Sequence, residues 1–311
     1  MTDAPAQPPI SLSIAAVERD TGLSKDTLRV WERRYGFPAP ERDALGERAY
    51  PAEQVEKLRL VRRLLDGGHR PGGIVPLTLA QLRELARQSA EEAVDTSAAA
   101  PASEAVQELL ALIRSHDAAG LRGALRGQLA RLGVARFVAE VVSPLGVAVG
   151  EGWMHGQLEV FEEHLFTEAT QNVLRQALAA LPAVPADARP RVLLSTLPGE
   201  QHLLGLLMAE LVLTLEGCTC ISLGVQTPLW DIVRAAAACR ADIVGLSFSG
   251  CMGPNPIFDG LTELRAKLPP RVRLWAGGTA PVLFRRSVAG VDAFRSLDEV
   301  PQALRLWRGR A

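Results

Sequence analysis

Short apolar runs alternate with helical stretches through the last third of the chain, from Arg191 onward. The runs read RVLLST, TCISLG, DIVGLSFS, VRLWAGG and, more weakly, DAFRS. Apolar runs of this length, each followed by a helix, are typical of βαβ units, which place their strands parallel. Five such units predict a doubly wound, open parallel sheet with helices on both faces. Because these sheets bind ligands outside the carboxyl ends of their strands, the residues after each strand are the candidates for function.

Polar and glycine residues stand at the ends of three predicted strands. They are Glu200, His202 and Gly205 after the first strand, Ser247 at the end of the third, and Gly277 and Gly278 at the end of the fourth. A neutral imidazole is a good transition-metal ligand, and a carboxylate two residues away can fix its other nitrogen. Glycines let a bulky ligand approach the backbone without a Cβ clash. A loop histidine by itself is more often a surface or capping residue, so the residues alone leave that interpretation open beside a metal ligand.

The same residues resemble, in order and spacing, the D/E-x-H-x-x-G … S-x-L … G-G signature of cobalamin-binding domains. The resemblance implies a flavodoxin-like domain in which His202 is the lower axial ligand of cobalt and displaces the dimethylbenzimidazole of the cofactor. The displaced nucleotide tail would then enter a channel lined by Ser247, Gly277 and Gly278. Ser249 stands where this family has leucine. That departure bears on the packing of the tail and not on ligation of the metal.

Two short helices around the turn TGLS are predicted near the N-terminus, in SIAAVERDTGLSKDTLRVWERRYGF. Gly22 permits the turn, and Ser24 can cap the second helix. This pattern is typical of the helix-turn-helix, whose second helix enters the major groove of DNA. The segment PERDALGERAYP then has the pattern of a β-hairpin wing. The alternative is a small helical domain with a solvated basic face.

Residues 13–74 resemble the MerR family of winged-helix regulators over their whole length. The motif is a TLR-aromatic-aromatic-E segment followed by an R…G-x-R-x-Y wing, with Val30 in the first aromatic place. The resemblance implies binding to double-stranded promoter DNA, where arginines chiefly contact phosphate. The predicted DNA-contacting residues are Lys25, Thr27, Arg29, Arg33, Arg34, Arg42, Arg48 and Tyr50.

Helical periodicity in four stretches between residues 105 and 185 predicts a small antiparallel four-helix bundle. Near its end, EGWMHGQLEVFEEHLF places Trp153, Glu163 and His164 in a W-x9-E-H spacing. On one continuous helix Trp153 and His164 would share a face, whereas Gly156 permits a break instead. The other interpretation is a core tryptophan beside an acidic helix start, which the helix dipole favours.

The W-x9-E-H element resembles light-responsive cobalamin repressors of the CarH and LitR type, which have the same domain order. The resemblance implies a bundle over the upper face of the corrin, with Trp153 against the 5′-deoxyadenosyl group and Glu163 and His164 holding it. It also implies a repressor that binds adenosylcobalamin in the dark, assembles on DNA as a homo-dimer or tetramer, and is released when light cleaves the cobalt–carbon bond. In that family a histidine directly follows the tryptophan. Here the position is Met154, so either His155 is the ligand after photolysis or a bis-histidine adduct does not form in the light.

The chain is therefore predicted to be multidomain. A winged helix-turn-helix domain occupies residues 10–85, and an Ala/Ser/Glu-rich linker occupies residues 86–104. The four-helix bundle follows over residues 105–185. The cobalamin-binding domain, with its five-stranded parallel sheet, covers residues 189–311.

Composition narrows the remaining classes of function. The net charge of −1 means that contact with nucleic acid must come from a local basic patch. The four cysteines form no C-x-x-C pair and suit a reducing cytosol. No signal peptide and no apolar run of about 18 residues is visible, so we expect a cytoplasmic protein with no membrane partner. No paired carboxylates, nucleophile–base pair or phosphate loop indicates an enzyme.

Two other functions remain open at this stage. A regulator of the same build could sense cobalamin availability, or act without cobalamin, and use no photochemistry. A corrinoid carrier for methyl transfer would share the bundle and the sheet. Such a carrier has no use for a wing and a recognition helix, and residues 11–73 therefore argue against it.

Overall fold

The computed structural model describes residues 11–309 apart from positions 44, 67–68, 97–102, 155, 186 and 251. The chain forms two compact units. The first comprises Met1–Ala100 and Glu151–Glu159, and the second comprises Pro101–Gly150 and Val160–Ala311. The segment that carries Trp153 thus groups with the N-terminal residues, which the predicted domain division did not anticipate.

The first unit combines short helices with a three-stranded antiparallel sheet in the order β1-β3-β2. Its elements are β1 (Ser11–Ser13), α1 (Ile14–Thr21), α2 (Lys25–Tyr35), β2 (Glu41–Arg42), β3 (Arg48–Pro51), α3 (Ala52–Asp66), α4 (Pro71–Ile74) and α5 (Leu79–Thr96). Gly22 ends α1 with a φ of 69°, and the Ser24 side chain accepts a hydrogen bond from the Thr27 backbone at the start of α2. The predicted winged helix-turn-helix is confirmed.

The helix α5 continues to Thr96 and so contains the first part of the predicted linker over residues 86–104. That stretch is rich in alanine and glutamate, which have high helix propensity although they offer little to a core. The low apolar content of this stretch led to the prediction of a linker, but residues 86–96 are helical. Residues 97–102 of the predicted linker lie outside the described residues.

The predicted four-helix bundle is also confirmed in the described part of the chain. Its elements are α6 (Glu104–Arg114), α7 (Ala118–Leu132), a continuous run of α8 (Val134–Phe137), a π-helical turn (Val138–Val142) and α9 (Ser143–Met154), and finally α10 (Val160–Ala180). Gly156, with a φ of 69°, lies between α9 and α10. Of the two alternatives for the W-x9-E-H segment, the break is correct.

A five-stranded parallel sheet follows, in the order β5-β4-β6-β7-β8. Its elements are β4 (Arg191–Ser195), α11 (Leu204–Leu215), β5 (Thr219–Ser222), α12 (Leu229–Ala238), β6 (Ile243–Phe248), α13 (Pro254–Lys267), β7 (Arg273–Gly278), α14 (Val282–Arg285), β8 (Val291–Phe294), a 3-10 turn (Leu297–Glu299) and α15 (Val300–Arg308). The doubly wound fold is as predicted.

The sheet is buried on both faces because successive side chains of a strand point to opposite sides. Leu193 belongs to the core formed with α12 and α13, whereas Val192 and Leu194 belong to the core formed with α11 and α15. The strand order reverses between β4 and β6, and such a switch point opens a crevice at the carboxyl ends of those strands. Among the described residues, no helix is long and apolar enough to cross a membrane.

Candidate cofactor-binding site

His202 lies in the loop between β4 and α11, at the carboxyl edge of the sheet. Its ring Nδ1 is 2.6 Å from Glu200 Oε1, and its backbone nitrogen donates to the same oxygen over 3.1 Å. An ionised carboxylate only accepts hydrogen bonds, so Nδ1 carries the proton of the neutral ring. The lone pair is then on Nε2, the atom that can ligate a transition metal.

Glu200 is buried, with 1% of its residue surface exposed. It accepts a 2.8 Å hydrogen bond from the Ser249 backbone nitrogen and a 2.9 Å bond from the Ser249 hydroxyl. Burial raises the pKa of this carboxyl, but the hydrogen bonds from His202 and Ser249 outweigh burial, and the pKa lies below its ordinary value. Glu200 is therefore a charged acceptor that holds the histidine ring.

The contact between Glu200 and His202 was predicted from the sequence, but the part of Ser249 was missed, because Ser249 was treated only as a departure from leucine. Leucine has no side-chain donor, whereas the serine hydroxyl adds one to the buried carboxylate. The available signal was the pair of serines two residues apart at the end of β6. Partners that orient a ligating histidine also tune its basicity. Ser249 thus contacts the carboxylate that orients His202, which the expectation that it concerns only tail packing did not include.

Gly205 and Ser247 are brought together by close packing of α11 against the end of β6. A Cβ at position 205 would collide with the Ser247 hydroxyl oxygen. An alanine there would force the Ser247 hydroxyl into another rotamer, so glycine lets the serine keep its position beside the start of the helix. The structure confirms that these two signature residues are neighbours.

The glycine pair lies at the end of β7, where Gly277 is opposite Ser247 in the sheet register. Gly278 has a φ of 124°, and a Cβ there would collide with the Phe248 carbonyl. At Gly277, by contrast, a Cβ would find its nearest neighbour, the Phe294 carbonyl oxygen, at 3.8 Å. The fold thus requires glycine at 278, whereas at 277 a Cβ could be accommodated in ordinary contact. An oriented imidazole nitrogen and a glycine pair at the same carboxyl edge of the sheet fit a corrinoid with a bulky nucleotide tail.

The residues of the W-x9-E-H element belong to different units. In the first unit, Trp153 is half-buried, and the Arg63 guanidinium carbon lies 5.2 Å from the centroid of its ring. In the second unit, Glu163 accepts a 2.6 Å hydrogen bond from the Thr167 hydroxyl, and exposed His164 has its Nε2 3.6 Å from Glu163. The predicted lit-state ligand His155 lies outside the described residues.

A neighbouring pair in the second unit had no counterpart in the sequence analysis. His116 Nε2 is 3.0 Å from buried Glu162, and the His116 ring lies edge-on to Phe161 at 5.0 Å. The two partners are far apart in sequence, so no local spacing points to their contact.

The predicted DNA-contacting residues divide by exposure. Arg29, Arg33 and Arg34 are exposed on α2, and Arg42 is exposed on the wing, where it donates to the Gly46 carbonyl over 2.8 Å. Four others are partly or fully buried. Lys25 and Thr27 are half-buried at the start of α2, Arg48 pairs with Glu32 at 3.1 Å, and Tyr50 is fully buried. The expectation for Tyr50 is corrected, because its ring packs in the core of the unit.

Family models match three separate parts of the chain. The model of the MerR HTH family regulatory proteins matches residues 12–81, and two B12 binding domain models match residues 105–178 and 190–304. The HTH-type transcriptional repressor CarH of Myxococcus xanthus is 33% identical over 259 residues, covering 83% of this chain and 86% of CarH.

The chain belongs to the CarH-type family of transcriptional repressors. A second relative, the HTH-type transcriptional repressor CarA of Myxococcus xanthus, is 32% identical and covers 84% of both chains. The CarH-type chain therefore carries a MerR DNA-binding domain and binds cobalamin through its helical and sheet domains.

A solved structure shares the fold of this CarH-type protein. The monomethylamine corrinoid protein of Methanosarcina barkeri superposes with a TM-score of 0.52 at 17% identity, covering 63% of this chain and 95% of the corrinoid protein. At that identity the likeness concerns the fold alone.

Proposed function

We propose that this CarH-type protein is a light-responsive repressor. In the dark it binds adenosylcobalamin, oligomerises as a dimer or tetramer and occupies promoter DNA; illumination releases it. When bound, adenosylcobalamin supplies a cobalt–carbon bond that visible light cleaves. The residues of this chain hold the cofactor. Its adenosyl group favours one of two packing arrangements of the protein, because a ligand shifts an equilibrium only by binding one state better.

The observation that carries the proposal is the hydrogen-bond chain Ser249–Glu200–His202. It fixes the tautomer that directs Nε2 to a metal, and it keeps the orienting carboxylate charged. The roles of Ser247, Gly277, Gly278 and Gly205 at the nucleotide tail rest on the resemblance to the family, and they are supported by the position of Ser247 opposite Gly277 at the carboxyl edge of the sheet. The roles given to Trp153, Glu163 and His164 at the adenosyl group rest on the resemblance to the family, and His155 is the proposed ligand after photolysis.

Exposed arginines on α2 and on the wing support the DNA-binding half of the proposal. They place positive charge where a recognition helix and wing would meet phosphates. The matched MerR domain also weighs against the methyl-carrier alternative, since such a carrier does not need to bind DNA.

The decisive experiment is a gel shift with DNA from the promoter region of the protein's own gene. Full-length protein is loaded with adenosylcobalamin in the dark, and half of the sample is exposed to green or blue light. We expect a dark complex that is lost after illumination, and size-exclusion chromatography should show the oligomer dissociating in parallel. Ligand-free protein and hydroxocobalamin-loaded protein, each kept dark and lit, are the controls.

Equal binding by the dark and lit samples contradicts the light response. If both samples bind DNA better than the ligand-free protein, the protein senses cobalamin availability without photochemistry. If the ligand-free protein binds equally well, it is a cobalamin-independent regulator.

A further inference from the structure

Arg63 on α3 is a buried cation within the first unit. Only 8% of its surface is exposed, and its Nε is buried with no hydrogen-bond partner among the described residues. Its guanidinium instead stacks on the ring of Trp153, with 5.2 Å between the guanidinium carbon and the ring centroid. A Cβ on Gly156 would lie 3.7 Å from Arg63 Nη1. Both Trp153 and Gly156 therefore lie close to the guanidinium.

The contact between Arg63 and Trp153 contributes little free energy. Burial lowers the pKa of Arg63, and the nearby Arg59 lowers it further, whereas Glu159 alone opposes them. A cation over an indole ring contributes only about 1–2 kcal/mol even when desolvated, and an unpaired buried N–H costs a similar amount. The contact can therefore be broken by any partner that binds Trp153 more strongly.

The turn itself is held by its own hydrogen bonds and packing. The backbone nitrogens of Gln157 and Leu158 donate to the Gly152 carbonyl over 2.8 and 3.1 Å, and the buried Leu158 side chain packs against Gly152. These contacts are separate from the stack on Arg63. Loss of the stack would consequently leave the turn folded and let Trp153 change partners.

We propose that Arg63 is a latch that holds Trp153 against the DNA-binding unit in the ligand-free protein, and that Trp153 exchanges Arg63 for the adenosyl group when the cofactor is bound. The inference rests on the proposed function, which assigns Trp153 to the adenosyl group. It adds a direct link, within one chain, between the cofactor and the helix that follows the wing. The cofactor would thereby act on the DNA-binding unit as well as on assembly.

The test compares full-length Arg63→Met with wild type in the dark. Methionine keeps an unbranched apolar stem but removes the cation. We expect the dissociation constant for adenosylcobalamin, followed by absorbance, to fall about fivefold, because the competitor for Trp153 is gone. The dissociation constant for hydroxocobalamin, which lacks the adenosyl group, should stay at the wild-type value.

Lys57→Met is the matched control. Lys57 lies on the same helix and also stacks on an aromatic ring, with its Nζ 3.7 Å from the Phe37 centroid, but it does not contact Trp153. Its adenosylcobalamin affinity should equal that of wild type. If Arg63→Met does not fold, Arg63→Lys, which keeps the charge but loses planar stacking, should show a smaller change in the same direction.

Hydrogen exchange gives a readout that is independent of affinity. Peptides from α3 of the wild type should exchange faster once adenosylcobalamin is bound, and those of ligand-free Arg63→Met should already exchange at the faster rate. If both Arg63 variants keep the wild-type affinity for adenosylcobalamin and the wild-type exchange rates of α3 peptides, the latch is overturned while the proposed function stands. Failure of the wild type to take up any cobalamin would overturn the proposed function, and the latch with it.

Discussion

The imidazole Nδ1 of His202 and a carboxylate oxygen of Glu200 are 2.6 Å apart, and the backbone nitrogen of His202 donates to that same oxygen. A single buried carboxylate thus fixes both the ring and the loop that carries it. Ser249 fixes the carboxylate in turn. The orientation of the imidazole is therefore set by three residues that follow the ends of two adjacent strands.

His202→Ala should abolish the red shift that imidazole ligation gives to the cobalamin spectrum. The alanine variant has no imidazole lone pair at this position. The cofactor, bound or free, should therefore show the spectrum of cobalamin that lacks a protein ligand on cobalt. Absorbance of the dark, loaded protein measures the effect. Gln201→Ala, an exposed neighbour in the same loop, should keep the wild-type spectrum. A red shift that persists in His202→Ala would show that another residue ligates cobalt.

Ser249→Ala should weaken cobalamin binding about tenfold, in the range typical for residues that orient a metal-bound histidine. The change removes the hydroxyl donor to Glu200 and leaves the backbone donor in place. Titration of the variant with cobalamin measures the dissociation constant. Ser287→Ala, a serine after α14, is the control for a general serine effect. Equal affinity in both variants would show that the hydroxyl has no part in ligation.

Acid should destabilise the second unit partly through Glu200. Its folded-state pKa lies below the ordinary value of 4.5, so the charged carboxylate stabilises the fold above about that pH. This contribution to the free energy of unfolding is lost as the pH falls through the lower, folded-state pKa. Denaturant titrations of wild type and Glu200→Gln between neutral pH and pH 3 should show a shallower loss in the variant, although it is less stable at neutral pH. Parallel pH profiles would contradict the assignment.

The two glycines at the end of β7 should separate folding from binding. Gly277→Ala meets no atom closer than 3.8 Å and should keep the wild-type melting temperature, yet it should weaken cobalamin binding by filling the space beside Ser247. Gly278→Ala collides with the Phe248 carbonyl and forces an L-residue to a φ of 124°, so it should lower the melting temperature or prevent folding. Unchanged cobalamin affinity in Gly277→Ala would show that the tail does not use this space.

Arg33→Ala should weaken DNA binding uniformly across sequences and lower the slope of log affinity against log salt by about one. Arg33 is exposed at the end of α2, where the recognition helix would meet phosphate. Fluorescence anisotropy at several salt concentrations measures the slope. Arg83→Ala removes another exposed arginine, one paired with Glu56 on a different helix, and should leave the slope unchanged. Equal salt slopes in the two variants would show that Arg33 does not contact DNA phosphate.

Most of the fold could be predicted from local sequence patterns. The alternation of apolar runs and helices from Arg191 predicted the parallel sheet, and the parallel order then required Glu200, Ser247 and Gly277 to share one edge. The wing and the capped helix α2 were equally local in origin. Their signals lie within a few residues, where propensity and caps act.

Contacts between distant segments could not be predicted in the same way. The stack of Arg63 on Trp153 and the pair of His116 with Glu162 join residues that share no local pattern. Tyr50 fitted a family motif, but burial is decided by the packing of the whole unit, and its ring lies in the core. The role of Ser249 was hidden because a motif describes a residue's identity and not its hydrogen bonds.

The buried carboxylate at the sheet edge has a consequence for the speed and strength of cofactor capture. Because Glu200 immobilises the imidazole while the protein is still empty, the loss of side-chain rotational entropy is incurred during folding. Each side chain that is preorganised in this way lowers the free-energy cost of binding by about 0.5–1.5 kcal/mol. The preorganised imidazole thereby favours tight binding of cobalamin.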